Sequence, residues 1–305
     1  MMSADFAIHA YRTRLPGIVR WAAVVLYTAA LPYVIFIFQY IDRYFPSTIT
    51  GRVPLSIIVF FAVAYTILSV KHKTAARCFV ILGVSAVIVF GIMMVEPNRN
   101  KHIHIPEYVL MTWLLHWALG AGYKGSGLFL LIFICAVMLG FVDELLQGIH
   151  PERYYGWLDM IINAASAFIG ILMLMGAKRS ASVKEWSWAG RFRDYKATLA
   201  VILFGAVTAV LMGIRLFDVQ LRGAFNSIYP QWLLIGNAVF LASGAAVIIC
   251  HWYGSRVCAA IALETHMAPV DGRSTVRLWI FPPLAILMAM HALVLWAVVA
   301  GLNFR

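Results

Sequence analysis

The sequence predicts an all-α, polytopic transmembrane helical bundle of about nine spans. Hydrophobic residues make up 63% of the 305-residue chain and charged residues only 12%, where soluble domains hold roughly half and a quarter. Mean hydropathy is +0.85. The apolar residues also gather into separate runs, most near the roughly 20 residues that cross a hydrocarbon core as a helix. The same composition excludes disorder, a collagen-like fibre and a disulfide scaffold.

In chain order the runs are Ile18–Ile41, Leu55–Val70, Cys78–Val95, Ile105–Gly122, Leu128–Ile149, Trp157–Ala177, Thr198–Phe217, Trp232–Trp252 and Leu278–Gly301. The first is too long for a signal-peptide core and is expected to be an uncleaved span. The second is short. A tight turn, Tyr123-Lys124-Gly125-Ser126-Gly127, joins the fourth to the fifth. Pro32, Pro282 and Pro283 kink spans without excluding them. This gives four segments: 1–75 with two spans, 76–177 as a four-span core, 178–197 as a basic linker, and 198–305 as a three-span block. Trp186, Trp188, Phe192 and Tyr195 make the linker a weak candidate interfacial helix, because they do not hold one helical face.

The net charge of +11 would suggest nucleic acid in a soluble protein. Here the cations sit in short connections and set topology, so no nucleic-acid partner is expected. Of the 24 Lys and Arg, 16 fall on the side of the N-terminus and the remaining 8 on the other. The richer side is expected to be cytoplasmic. That puts the N-terminus inside and the C-terminus outside. Trp21, Trp157, Trp232, Trp252 and Trp279 stand at span ends, as an aromatic belt does, with Trp157 turned towards lipid. Cys78, Cys135, Cys250 and Cys258 show no CxxC spacing and read as buried free thiols.

Polar residues concentrate at the outer ends of three helices. Asn100-Lys101-His102-Ile103-His104-Ile105-Pro106-Glu107-Tyr108 leads into the fourth span. On the fifth, Gly140, Asp143, Glu144 and Gln147 fall within an arc of about 100°. On the sixth, Asp159, Asn163, Ser166 and Gly170 form a narrow stripe at i, i+4, i+7 and i+11. His150-Pro151-Glu152-Arg153 lies in the short loop between the two. Small residues and facing polar stripes imply an antiparallel hairpin whose stripes meet inside the bundle. The His104 segment is then its third wall. A charge at a helix centre costs about 2.5–3.5 kcal/mol, and an intramembrane hydrogen bond contributes only about 0.6–2 kcal/mol. Fastening the hairpin is therefore a poor reason for so many ionisable groups at one depth, and a functional site is the better one.

These residues resemble the signature of the VanZ-like membrane family. It reads Asp-Lys-x-x-His, then Glu-x-x-Gln with Pro-Gly-Arg, then Asp-x-x-x-Asn-x-x-Gly-x-x-x-Gly. The counterparts here are Lys101, His104, Glu107 and Tyr108, then Glu144, Gln147, Pro151 and Arg153, then Asp159, Asn163 and Gly170. The similarity covers about a third of the chain, near Cys78–Ala177. Asn100 stands where the family has Asp, Glu152 where it has Gly, and Ser166 where it has the first Gly after Asn163. The resemblance implies a bacterial cytoplasmic-membrane protein. The family's namesake is linked to resistance against the glycopeptide antibiotic teicoplanin.

Three functions fit this pattern. The first is recognition or translocation of an anionic envelope lipid, such as a polyprenyl phosphate or lipid-linked sugar. Lys101 and Arg153 would take phosphate, and His104, Glu107, Glu144, Gln147, Asp159 and Asn163 would complete the site. The second is a membrane-embedded hydrolase or transferase with His104, Glu144 and Asp159 as acid and base. His102-x-His104 with Glu107 and His150 offers weak metal-ligand spacing, but no HExxH occurs, so neither a metal nor a cofactor is assigned. The third is a non-catalytic subunit that meets membrane-protein partners through its C-terminal block. Among the other polar residues, His116 and His291 are expected to hydrogen-bond inside the bundle. Arg215 pairs with Asp218. Glu264, His266, Asp271 and Arg273 belong to a cytoplasmic loop.

Overall fold

The computed structural model describes residues 4–71, 75–119, 126–150, 153–177, 196–222, 229–264 and 276–302. The linker at 178–195 with its aromatic residues, the first three residues of the expected turn (Tyr123, Lys124 and Gly125), Pro151, Glu152, His266, Asp271 and Arg273 lie outside them, while Ser126 and Gly127 open a helix. So do the side chains of Cys258 and Glu264.

Among the described residues every regular element is helical. Backbone groups in hydrocarbon have no water to bond, and a helix satisfies them within one segment. The elements are α1 (Ala4–Ala30), α2 (Val34–Asp42), α3 (Ser47–Thr50), α4 (Val53–Lys71), α5 (Ala75–Val95), α6 (His104–Leu119), α7 (Ser126–Ile149), α8 (Trp157–Ala177), α9 (Lys196–Arg222), α10 (Gln231–Glu264) and α11 (Val276–Val299). A 3-10 turn at Leu31–Tyr33, with Pro32 near its start, links α1 to α2. Pro282 and Pro283 lie inside α11. Eight helical stretches are long and apolar enough to cross a membrane, so the chain is a multi-pass helical membrane protein. The remaining apolar run, the fourth, forms α6, whose 16 residues extend only about 24 Å.

The chain divides into two compact units: Met1–Glu144 with Gly156–Trp186, and Leu145–Tyr155 with Ser187–Arg305. In the first unit α6 packs chiefly on α8, and α5 packs on α8 as well. An apolar cluster joins Tyr65 of α4 to Cys78, Ile81, Ile105, Val109, Ile162, Ile169 and Met173 on these three helices.

The path of the chain follows from paired positions. Lys101, just before α6, meets Asp159 at the start of α8. Thr112 Oγ1, further along α6, lies 3.3 Å from the Ala167 carbonyl. The sequence separations are nearly equal, so α6 and α8 run side by side in one direction. A Cβ on Gly140 would sit 3.2 Å from Tyr108 and 3.4 Å from Asn163, so α7 returns against both helices and brings Glu144 back to their starting end. On α1, Arg20 lies over Trp117 and Tyr27 donates to the Glu107 carbonyl. That helix therefore runs antiparallel to α6.

In the second unit α9, α10 and α11 pack on one another. His291 is buried on α11. Its Nδ1 donates to the Leu287 carbonyl at 2.7 Å, and its Nε2 accepts from Thr208 Oγ1 at 2.8 Å. Arg215 Nη1 lies 3.3 Å from Asp218 Oδ2. Trp232 and Trp252 are exposed. Trp157 differs from the lipid-facing expectation: it is partly buried, with its indole nitrogen shielded.

Candidate functional site

The first unit gathers a buried polar cluster where α6 and α8 begin and α7 arrives. A 3-10 turn, Arg99–Ile103, leads into α6 and is capped by Asn98, whose side chain accepts from Asn100 N at 3.1 Å. Glu96 accepts from Asn98 N at 2.8 Å. Its carbonyl lies 2.9 Å from His102 Nε2. His102 thus holds the turn, while His104, two residues on, starts α6 on the cluster.

Lys101 Nζ donates to both Asp159 oxygens at 2.9 Å and lies 3.5 Å from Glu96 Oε2. Burial alone would lower the Lys101 pKa. The facing Asp159 carboxylate, with Glu96 and Glu144, outweighs it, and the pKa is raised. His104 Nδ1 lies 3.1 Å from Glu107 Oε2. Burial pulls the imidazole pKa down. The adjacent Glu107 carboxylate, then Glu144 and Asp159, reverse this and lift it to about 9. His104 precedes the apolar stretch of α6.

Glu144 is fully buried. Its Oε2 accepts from Gly156 N at 3.1 Å and its Oε1 from Asn163 Nδ2 at 3.3 Å. Tyr108 Oη donates to Asp143 Oδ2 at 3.0 Å. Donor atoms of His104, Glu144 and Asp159 all lie within 4.8 Å of one another. Asn163 Oδ1 and Glu107 Oε1 are buried with no hydrogen-bond partner among the described residues. Ser166, on the same stripe of α8, instead donates to the Ile162 carbonyl at 2.6 Å.

Six sequence candidates therefore meet in one unit: Lys101, His104, Glu107, Glu144, Asp159 and Asn163. Gln147 and Arg153 belong to the second unit, where the Arg153 guanidinium donates to Gln147 Oε1. Sequence reasoning missed Glu96, which stands at the end of an apolar run just before Pro97 and there resembles any solvated helix end. It also left Asp143 and Tyr108 out of the site proper, although Asp143 shares the polar arc of α7.

An apolar cavity of about 240 Å³ opens beside the cluster, between α4, α5, α6 and α8. Ile58, Phe61, Leu82, Phe90, Val109 and Met173 line it, with Ile105 and Pro106, the two residues between His104 and Glu107. The first turn of α6 thus has charged groups on one side and an apolar hollow on the other. No family model matches the chain, and no curated protein or solved structure matches it.

Proposed function

We propose that this membrane protein is VanZ-like and recognises, and in one reading translocates, an anionic lipid-linked component of the bacterial cell envelope. The observation that supports this best is the juxtaposition on the first turn of α6. His104 and Glu107 belong to a buried charged cluster, and Ile105 and Pro106 line an apolar cavity. Such a pairing suits an amphipathic ligand, with a phosphate or sugar beside the polar groups and a stretch of hydrocarbon in the hollow. The residues behind the VanZ-like resemblance that lie in the first unit are those that line the cluster and the α6–α8 contact. In this reading the protein sits in the cytoplasmic membrane, its N-terminus inside and the cluster at the outer end of the bundle. Lys101 is occupied by Asp159, so the headgroup must displace that contact or bind beside it.

The hydrolase or transferase reading draws on the nearness of His104, Glu144 and Asp159, a spacing that general acid–base chemistry needs.

The test is binding of polyprenyl phosphate and of the uncharged polyprenol to purified protein in lipid nanodiscs. The reading expects saturable binding of the phosphate, weaker binding of the alcohol, and no phosphate release. Equal affinity for both lipids removes the anionic-headgroup claim. Release of inorganic phosphate replaces recognition with hydrolysis.

A further inference from the structure

We propose that His104, Glu144 and Asp159 form a binding site for a divalent transition-metal ion, zinc or manganese, held by one imidazole and two carboxylates. The three donors come from the starts of α6 and α8 and the end of α7, and lie within 4.8 Å of one another in the first unit. Ligands of a tetrahedral zinc site stand about 3.4 Å apart for metal–ligand bonds near 2.1 Å. The ion would draw these donors inward by roughly an ångström, within the reach of side-chain rotation. One imidazole with two oxygen ligands suits zinc or manganese. Soft-metal sites need thiolate, and no cysteine is among the donors.

Three further observations favour a cation among these donors. The first is charge. Glu96, Glu107 and Asp159 are buried, and since an imidazole that ligates a metal is neutral, the cation set against them among the described residues is Lys101, which reaches Glu96 and Asp159. Buried carboxylates in excess of their counter-ions are strongly unfavourable unless a cation or proton joins them. The second is unfilled bonding capacity. Asn163 Oδ1, on the residue that donates to Glu144, and Glu107 Oε1 lack partners although both residues are more than nine-tenths buried. Such groups commonly mark an unseen ion or water. The third is the surroundings of the would-be ligands. Glu107 lies beside one ring nitrogen of His104, the placement by which a carboxylate orients an imidazole towards a metal. Gly156 N and Asn163 Nδ2 hold Glu144, and Lys101 holds Asp159. These groups fix each carboxylate's direction and leave further lone pairs for an ion.

The site does not depend on the lipid reading, and its test uses the metals alone. The full chain, purified without a histidine tag and stripped with chelator, is titrated with zinc and with manganese by calorimetry. Bound metal is counted by elemental analysis and the ligands are identified by X-ray absorption. One equivalent should bind per chain, with nitrogen and oxygen ligands only. Glu144→Gln and Asp159→Asn, close in shape to the native residues, should each lower affinity by roughly tenfold or more. His251→Gln, on α10 in the second unit, should leave affinity unchanged. Lys101→Met, which removes the cation competing for Asp159, should bind at least as tightly as the native chain. Bound metal far below one equivalent overturns the proposal. So does binding that survives both carboxylate substitutions, and so do sulfur ligands in the absorption spectrum.

Discussion

Lys101 and Arg215 each pair with a carboxylate, but in different surroundings, and they should respond differently to substitution. Asp159 is nearly buried and receives Lys101 through two 2.9 Å contacts. The Arg215–Asp218 pair is 3.3 Å apart with side-chain exposures of 40% and 29%. Removing one member of a fully buried pair costs about 3–5 kcal/mol. The Lys101 side chain is 37% exposed, so solvent screening reduces the expected loss for Lys101→Met to about 1–3 kcal/mol. Arg215→Gln should change stability by no more than about 0.5 kcal/mol. Denaturant unfolding in detergent compares the two. Equal losses would mean that Lys101 is no better buried than a surface cation. At this scale the sequence showed which residues are polar at one depth, because residue type and helical period suffice for that. The partners were less legible. Lys101 chooses Asp159, and His102 turns to the Glu96 carbonyl, because the 3-10 turn before α6 aims successive side chains differently. Periodicity contains no information about that turn.

At the scale of elements, the α6–α8 contact positions the site, and Gly170 makes it possible. A Cβ there would lie 2.8 Å from Thr112 Cβ and 2.9 Å from Thr112 Oγ1. Thr112 is held in place, since its hydroxyl is shared between the Tyr108 carbonyl at 2.7 Å and the Ala167 carbonyl at 3.3 Å. Gly170→Ala should therefore push the helices apart and cost about 1–3 kcal/mol. Gly83 and Gly91 on α5 have nothing within 4 Å of a built Cβ, and Ala at either should be neutral or slightly stabilising. Thermal unfolding of the three variants checks this, and a neutral Gly170→Ala would remove the close-approach argument. The stripe Asp159, Asn163, Ser166 and Gly170 was readable as one face of α8. Which helix it meets was less so. The hairpin argument pointed to α7, and α7 does touch it at Gly140, but the most extensive partner is α6, which runs parallel to α8. Loop length identifies the sequential neighbour and cannot reveal a parallel helix one segment earlier.

For the whole molecule, hydropathy sufficed for a multi-pass helical chain, because the need to satisfy the backbone in hydrocarbon leaves few alternatives. The two-unit division was only partly legible. A polar tract marks the region near Trp186, but nothing in composition marks the transfer of Leu145–Tyr155 to the second unit. Orientation rests on the distribution of Lys and Arg. In a chain with its native cysteines replaced, a cysteine at Ser47 should react with a membrane-impermeant maleimide in intact cells. One at Ser182 should react only after permeabilisation, and the reverse pattern would invert the proposed topology.

The central claim is that the charged groups at the meeting of α6, α7 and α8 bind a ligand and do not merely fasten helices. Glu144→Gln separates the two, since the amide removes the charge and keeps an acceptor for Gly156 N, while Asn163 can turn its own oxygen to the new NH2 group. Thermal stability and polyprenyl phosphate binding, measured on the same preparation, are the readout. A binding site changes its affinity while its unfolding temperature holds or rises, as substitutions at functional charges often do. A fall in unfolding temperature with binding intact would contradict the account.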